Sequence, residues 1–264
     1  MSYQKPEHEG YSSVYDEGVN LSKVQPTRVD EARTGRKGRV NARGSFQSTE
    51  AFKTARTNID YSIIKEGCKI FTVTSSLMAE GKTTFSSNIA KAFAQIKENR
   101  VLLIDCDMRK PRVHAEFDLR NVPGLSNYLL QPTDLEKMLH WLPEDNLYIL
   151  TSGVAVPTAS ELLSSDRFVQ LLEDLSQVFD YIILDTPPVL VVSDALAVIP
   201  QTDGAVFVVN HNESTVPQLR DSLTAIENVN GKVLGTIMNK VPLKSTTYGK
   251  YGNYGNYGDN GSER

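Results

Sequence analysis

Two cysteines in 264 residues, Cys68 and Cys106, exclude a disulfide framework and fit a reducing compartment. No run of about 18 apolar residues occurs, and the N-terminus has no apolar stretch of the signal-peptide kind. The chain is therefore expected in the cytoplasm, with any membrane association supplied by a partner. A net charge of −4 gives no global pull toward nucleic acid, and no nucleic-acid partner is expected. The rest is an ordinary soluble composition, 40% hydrophobic and 23% charged. The length fits one α/β domain with extensions, or two small domains.

The two ends lack any core-forming pattern. Residues 1–45 are polar, scattered with Gly and Pro, and show no period of 2 or 3.6. They carry a basic run, Arg33, Arg36, Lys37, Arg39 and Arg43, with no acid from Thr34 to Gly44. Its simplest reading is a solvated, disordered arm; the sharper one is contact with anionic lipid or an acidic partner. After Pro242 the core pattern stops again. Residues 244–264 form a Gly- and Asn-rich tail in which Tyr248, Tyr251, Tyr254 and Tyr257 recur every three residues. Such tails are usually only disordered.

Between the ends, 46–243 reads as one domain. Ser48, Glu50 and Ala51 predict a helix start, with the helix running toward Lys65. Short apolar runs predict six strands: Lys69–Thr74, Val101–Ile104, Leu147–Leu150, Tyr181–Leu184, Ala205–Val209 and Val233–Met238. Helical spacing is present over Thr83–Lys97, Glu161–Phe179 and Val216–Asn228. Short buried strands alternating with amphipathic helices predict an α/β fold, a mostly parallel, doubly wound sheet with helices on both faces.

Three strand ends carry the chemistry. After the first strand comes Ser76-Leu-Met-Ala79-Glu80-Gly81-Lys82-Thr83-Thr84, a loop opening into a helix. Helix N-terminal N–H groups cradle phosphate, and Gly81 lets the backbone come close. Lys82 reaches phosphate oxygens and the Thr83 hydroxyl suits Mg²⁺. This is a P-loop NTPase-like arrangement. It lacks the usual first glycine, whose place Ser76 takes, and Ala79 stands where Gly is common. The second strand ends in Asp105-Cys-Asp107, the fourth in Asp185-Thr-Pro-Pro188. In open α/β sheets ligands bind at the carboxyl ends of the strands. Carboxylates there suit Mg²⁺ and proton acceptance. Taken singly, each Asp is most simply a strand-end cap; three beside Gly81-Lys82-Thr83 are not.

Together these motifs resemble the bacterial tyrosine kinases (BY-kinases) of capsular and exopolysaccharide systems. The resemblance covers roughly Ser48 to Lys240 and the tail. Glu80-Gly81-Lys82-Thr83-Thr84 resembles the family's Walker A, Ile104 to Pro111 its Walker A′, and Leu184-Asp185-Thr-Pro-Pro188 its Walker B. Glu50, Lys53 and Arg56 resemble the element that joins subunits into a ring, with Lys53 in place of an arginine. Met78-Ala79 stands where the family usually has Pro-Gly. The resemblance implies an ATP- and Mg²⁺-dependent protein-tyrosine autokinase that phosphorylates Tyr248, Tyr251, Tyr254 and Tyr257 between subunits of a homo-oligomeric ring. It also implies a transmembrane polysaccharide co-polymerase as activator, recruitment to the inner face of the membrane, and a cognate phosphotyrosine phosphatase. Lys82, Asp105, Asp107 and Asp185 are the expected catalytic group, with Asp107 as base and Asp105 as the alternative. Thr83, Asp105 and Asp185 are the expected metal group. Ala79 to Thr84 would hold the nucleotide, with Asn239 as an adenine contact or, more simply, a strand cap.

The rival readings are a positioning ATPase of the ParA/MinD type without tyrosine kinase activity, and a nucleotide-dependent scaffold. The former usually carries a lysine early in the loop, and none occurs here between Ile70 and Gly81. Extended, the tail from Pro242 to Tyr254 would span about 40 Å, enough to reach a neighbouring cleft.

Overall fold

A computed structural model describes residues 19–27, 42–131 and 133–242. The basic residues Arg33, Arg36, Lys37 and Arg39 and the tyrosines Tyr248, Tyr251, Tyr254 and Tyr257 lie outside the described residues.

Seven strands form one sheet: β1 (Lys69–Ser75), β2 (Val101–Asp105), β3 (Leu139–Leu142), β4 (Leu147–Leu150), β5 (Tyr181–Asp185), β6 (Ala205–Asn210) and β7 (Val233–Asn239). Their order is β3-β4-β2-β5-β1-β6-β7. All neighbours pair in parallel except β3 with β4. Six of these strands are the apolar runs of the sequence. The seventh, β3, was not expected: Leu-His-Trp-Leu is four residues long and has half-buried polar and aromatic positions rather than a continuous apolar run.

Helices close both faces. Residues of β2 alternate sides as strand geometry requires. Val101 and Leu103 face a core with Phe71, Val73, Phe85, Ile89 and Phe93, whereas Leu102 and Ile104 face one with Leu163, Phe168, Leu171 and Leu175. The first core lies under α1 (Ala42–Ser62) and α2 (Lys82–Ala94). The second lies under α5 (Ala159–Leu163) and α6 (Asp166–Ser176). The single helix expected over Glu161–Phe179 is thus two. Ser165 interrupts it because its hydroxyl accepts the Phe168 N–H at 3.3 Å, the role of an N-cap. Three short helices complete the set in that part of the chain, α3 (Val113–Glu116), α4 (Leu125–Leu130) and α7 (Asp194–Val198). The last, α8 (Val216–Asn228), matches its expected bounds and starts on a Thr215–Gln218 capping box.

The helix ends fall a few residues short of the sequence reading, at Ser62 and Ala94 rather than near Lys65 and Lys97, and two boundaries near the start of the chain differ more. Residues 19–27, assigned there to the disordered arm, dock on the domain. Val24 is buried, Val19 and Leu21 pack on the second core, and Pro26 bridges to Trp141. A few apolar residues with a ready-made groove suffice for this, and no periodicity announces it. The first helix begins at Ala42 rather than Ser48, so Ser48 is interior to it. Its buried positions Ala55 and Ile59, with Ile63 just past its end, recur every four residues against the first core.

The end of α1 is tied to the sheet through Asp60, which accepts Lys69 Nζ at 2.6 Å and Tyr181 Oη at 2.8 Å. Burial alone would raise the Asp60 pKa. The hydrogen bonds from Lys69 and Tyr181, with the Lys69 and Arg56 charges, outweigh it and hold the carboxyl below its usual value. The folded pKa lies below the unfolded one, so this stability is present above about pH 4 and is lost as the pH falls through the folded value. Asp60→Asn is expected to cost about 1 kcal/mol at pH 7, discounted because the carboxylate is partly exposed. The gap between variant and parent should close toward pH 3 in urea unfolding.

Candidate active site

Strand order brings the three motifs together. Strand β5 lies between β1 and β2, with Asp185 in register with Val73 on one side and Asp105 on the other. The loop after β1 and both acidic strand ends therefore share the carboxyl edge of the sheet, where α2 begins.

Within that edge, Lys82 Nζ lies 3.1 Å from Asp107 Oδ2 and 4.0 Å from Asp185 Oδ2. Asp185 is fully buried and accepts hydrogen bonds from Thr83 Oγ1 at 2.7 Å and Ser86 Oγ at 2.8 Å. Burial draws the Lys82 ammonium pKa down, but the Asp185 and Asp107 carboxylates outweigh it and hold it above the ordinary value. Burial is also the largest influence on Asp185, and its pKa is raised despite Lys82 and the two hydroxyls. Two carboxylates thus meet one ammonium in a largely buried place, and the Asp105 charge adds to the same field.

The two acids after β2 differ. Asp105 is fully buried, and both its oxygens are engaged by backbone N–H groups. Oδ1 accepts from Asp107 at 3.0 Å; Oδ2 accepts from Arg112 at 3.1 Å and Val113 at 3.0 Å. It folds the turn that starts α3. Burial first, then the Asp185 carboxylate, push its pKa up to about 8. Asp107 instead meets Lys82 and accepts the Lys110 N–H at 2.9 Å.

The surplus of carboxylate and the hydroxyl oxygens of Thr83 and Ser86 form a hard-oxygen donor set, which fits Mg²⁺. The loop fits a phosphate. Gly81 has φ +94°, and a Cβ there would stand 2.0 Å from Asn239 Nδ2, so any side chain would strain the backbone and displace the Asn239 amide. The first N–H groups of the 13-residue helix α2 have no intrahelical acceptor and suit an anion.

The residues of chain positions 68–236 match the family model described as an AAA domain. Tyrosine-protein kinase YwqD of Bacillus subtilis is 37% identical over 203 residues, which is 76% of this chain and 85% of that protein. The chain belongs to the bacterial tyrosine-protein kinases. Among solved structures, the kinase domain of Escherichia coli tyrosine kinase ETK superposes with a TM-score of 0.71 at 32% identity, covering 75% of this kinase chain and 78% of that one. The septum site-determining protein MinD of Pyrococcus horikoshii, complexed with Mg-ADP, shares the fold at a TM-score of 0.54 and 21% identity, covering 65% of this chain and 70% of that one.

Other expected site residues of this kinase are placed as follows. Thr84 turns away from the cluster toward Glu116 on α3. Glu50 and Lys53 pair with each other on the outer side of α1 at 2.7 Å. Arg56 points inward and donates to the Ala92 carbonyl of α2 at 2.7 Å. Asn239 joins the phosphate loop, its Nδ2 donating to the Glu80 carbonyl at 3.0 Å. Two participants had no assigned role in the sequence. Ser86 follows Thr83 by three residues on one face of α2, a spacing that signals its approach to Asp185. Arg109 forms a two-pronged ion pair with the buried Asp194, at 2.8 and 3.1 Å, fixing the Asp107 turn against α7. No local pattern links those two residues.

Among the described residues no helix is long and apolar enough to cross a membrane.

Proposed function

We propose that this chain is an ATP-dependent protein-tyrosine autokinase that phosphorylates Tyr248, Tyr251, Tyr254 and Tyr257 of a neighbouring subunit and so regulates capsular or exopolysaccharide synthesis and export. One observation supports it most. Lys82, Thr83, Asp107 and Asp185 converge at one sheet edge in a chain that ends in four regularly spaced tyrosines.

Transfer of a γ-phosphoryl group to a phenol needs positioning and charge neutralisation more than covalent chemistry. The backbone from Ala79 to Thr84 would hold the phosphates and Lys82 would neutralise their oxygens. Mg²⁺, held by Thr83 with Asp185 and Asp105 nearby, would supply further charge screening. Asp107 is favoured as the base for the phenolic proton, because Asp105 spends both oxygens on backbone donors. The ring would form through the α1 element of Glu50, Lys53 and Arg56. A transmembrane co-polymerase would recruit the kinase to the inner face of the membrane and activate it, and a phosphatase would reset it. Full phosphorylation of the tail would add about −6 to −8 charge and loosen the ring by repulsion.

The test uses labelled ATP and Mg²⁺, with the cytoplasmic segment of the co-polymerase added as activator. The parent should gain label on tyrosine, whereas a variant with the four tail tyrosines changed to Phe should retain nucleotide binding and lose nearly all label. ATP turnover without phosphotyrosine in the parent would sink the kinase reading in favour of a positioning ATPase.

A further inference from the structure

We infer that Lys240 and Asn239, the residues closing β7, are positioning residues that aim the backbone donors of the phosphate loop, and that this chain needs them because Ala79 stands in the turn. The inference rests on the nucleotide-binding half of the function proposed above and not on transfer to tyrosine.

Ala79 has φ +63°, a left-handed conformation that crowds a Cβ against the backbone. A non-glycine residue persists there only when its surroundings fix it. Here the turn is fixed from three directions. Inside the loop, the Leu77 N–H donates to Glu80 Oε2 at 2.8 Å. From the end of β6, the buried Glu80 carboxylate accepts the Ser214 hydroxyl through Oε1, and that hydroxyl in turn accepts the Asn210 N–H at 2.8 Å. From the end of β7, Lys240 Nζ donates to the Ala79 carbonyl at 2.8 Å and Asn239 Nδ2 to the Glu80 carbonyl at 3.0 Å.

The β7 contacts have a direct consequence for anion binding. In a trans peptide the carbonyl and the following N–H point opposite ways in one plane. Holding the Ala79 oxygen toward Lys240 turns the Glu80 N–H the other way. Holding the Glu80 oxygen toward Asn239 does the same for the Gly81 N–H. Two successive donors in a left-handed turn make the concavity that receives a phosphate oxygen. The group received is a phosphate, which under the function proposed above belongs to a nucleoside di- or triphosphate, and the side chains at the end of β7 set the aim without contacting it. A glycine at position 79 would hold the turn with less help.

The experiment measures dissociation constants of a fluorescent ADP analogue with Mg²⁺ for the full chain. Lys240→Met should weaken binding about five- to tenfold, the loss of one charge-assisted hydrogen bond, with the thermal midpoint unchanged. Lys240→Arg should restore most of that affinity. Lys232→Met, which removes an exposed lysine whose Nζ contacts the Ser62 carbonyl, should leave affinity unchanged. In an Ala79→Gly background the effect of Lys240→Met should shrink to less than about twofold, the coupling expected of residues that share one turn. Parental affinity in Lys240→Met overturns the inference. So does an undiminished loss in the Ala79→Gly background, which would mean that Lys240 acts on the nucleotide directly. A parent that binds no nucleotide overturns both this inference and the function it rests on; a parent that binds nucleotide but transfers none of it to tyrosine, with the Lys240 results as expected, supports the inference and refutes the kinase.

Discussion

Lys82→Met is expected to lower phosphotyrosine formation by about 10³-fold or more, the scale on which removing a positioned charge at the reacting centre acts. Lys82 is 12% exposed and is the one cation within 4.0 Å of Asp185 and 3.1 Å of Asp107 among the described residues. In such a place its charge is poorly screened by water, so its interaction with developing negative charge on the transferred group is strong. Methionine preserves the length and the apolar stem and removes only the ammonium. The cost has a second part. Without the ammonium, Asp107 and Asp185 remain close with less compensation, and breaking a buried ion pair from one side destabilises by about 3–5 kcal/mol. Some of that is avoided if a carboxylate takes up a proton. Thermal unfolding must therefore be measured beside the kinetics. Lys82→Arg keeps the charge but not the shape of the donor; it should remain folded and still lose most of the rate. A Lys82→Arg variant with parental activity would show that charge alone suffices there.

Asp107→Asn and Asp105→Asn should separate chemistry from architecture. Asp107→Asn is expected to lower kcat by about 10²–10³-fold, within the range for loss of a general base, with a small change in KM for ATP. Asn keeps an acceptor for the Lys110 N–H but presents an amide where the carboxylate met Lys82, and it takes no proton at neutral pH. Asp105→Asn should act mainly on folding. Its carboxylate accepts three backbone N–H groups, and an amide has one oxygen with which to replace two. The turn into α3 would lose at least one partner, a cost of about 1–3 kcal/mol for each buried donor left unpaired. Activity per folded molecule should fall less than in Asp107→Asn. The reverse ranking would make Asp105 the base.

The legible part of the site was local. Glu80-Gly81-Lys82-Thr83 sits between an apolar run and an amphipathic helix, and Asp105 and Asp185 each end an apolar run, with Asp107 two residues past the first. Each signal spans a few residues, because burial along a strand and cradling at a helix start are short-range requirements. Hence the six apolar strands were readable, with the acidic ends of β2 and β5, as was the span of α8. The four-residue strand β3 was not, since Leu139–Leu142 has no period of its own and exists by pairing with β4. The docking of Val24 was illegible for a similar reason: a single apolar side chain finds its groove only after the groove has formed.

What the amino-acid sequence alone determined is the inventory: an α/β domain, a phosphate loop, three carboxylates and a tail of four tyrosines. The tertiary structure decided how those parts divide the work. It sends the Asp105 oxygens to backbone donors and leaves Asp107 beside Lys82, although the two stand two residues apart with the same side chain. It brings Arg109 to Asp194, and Asn239 and Lys240 to a loop some 160 positions earlier in the chain. The physical reason is that periodicity records which side of an element is buried, whereas contact between distant segments depends on strand order. In this sheet that order sets β5 between β1 and β2 and carries the end of β7 to the phosphate loop.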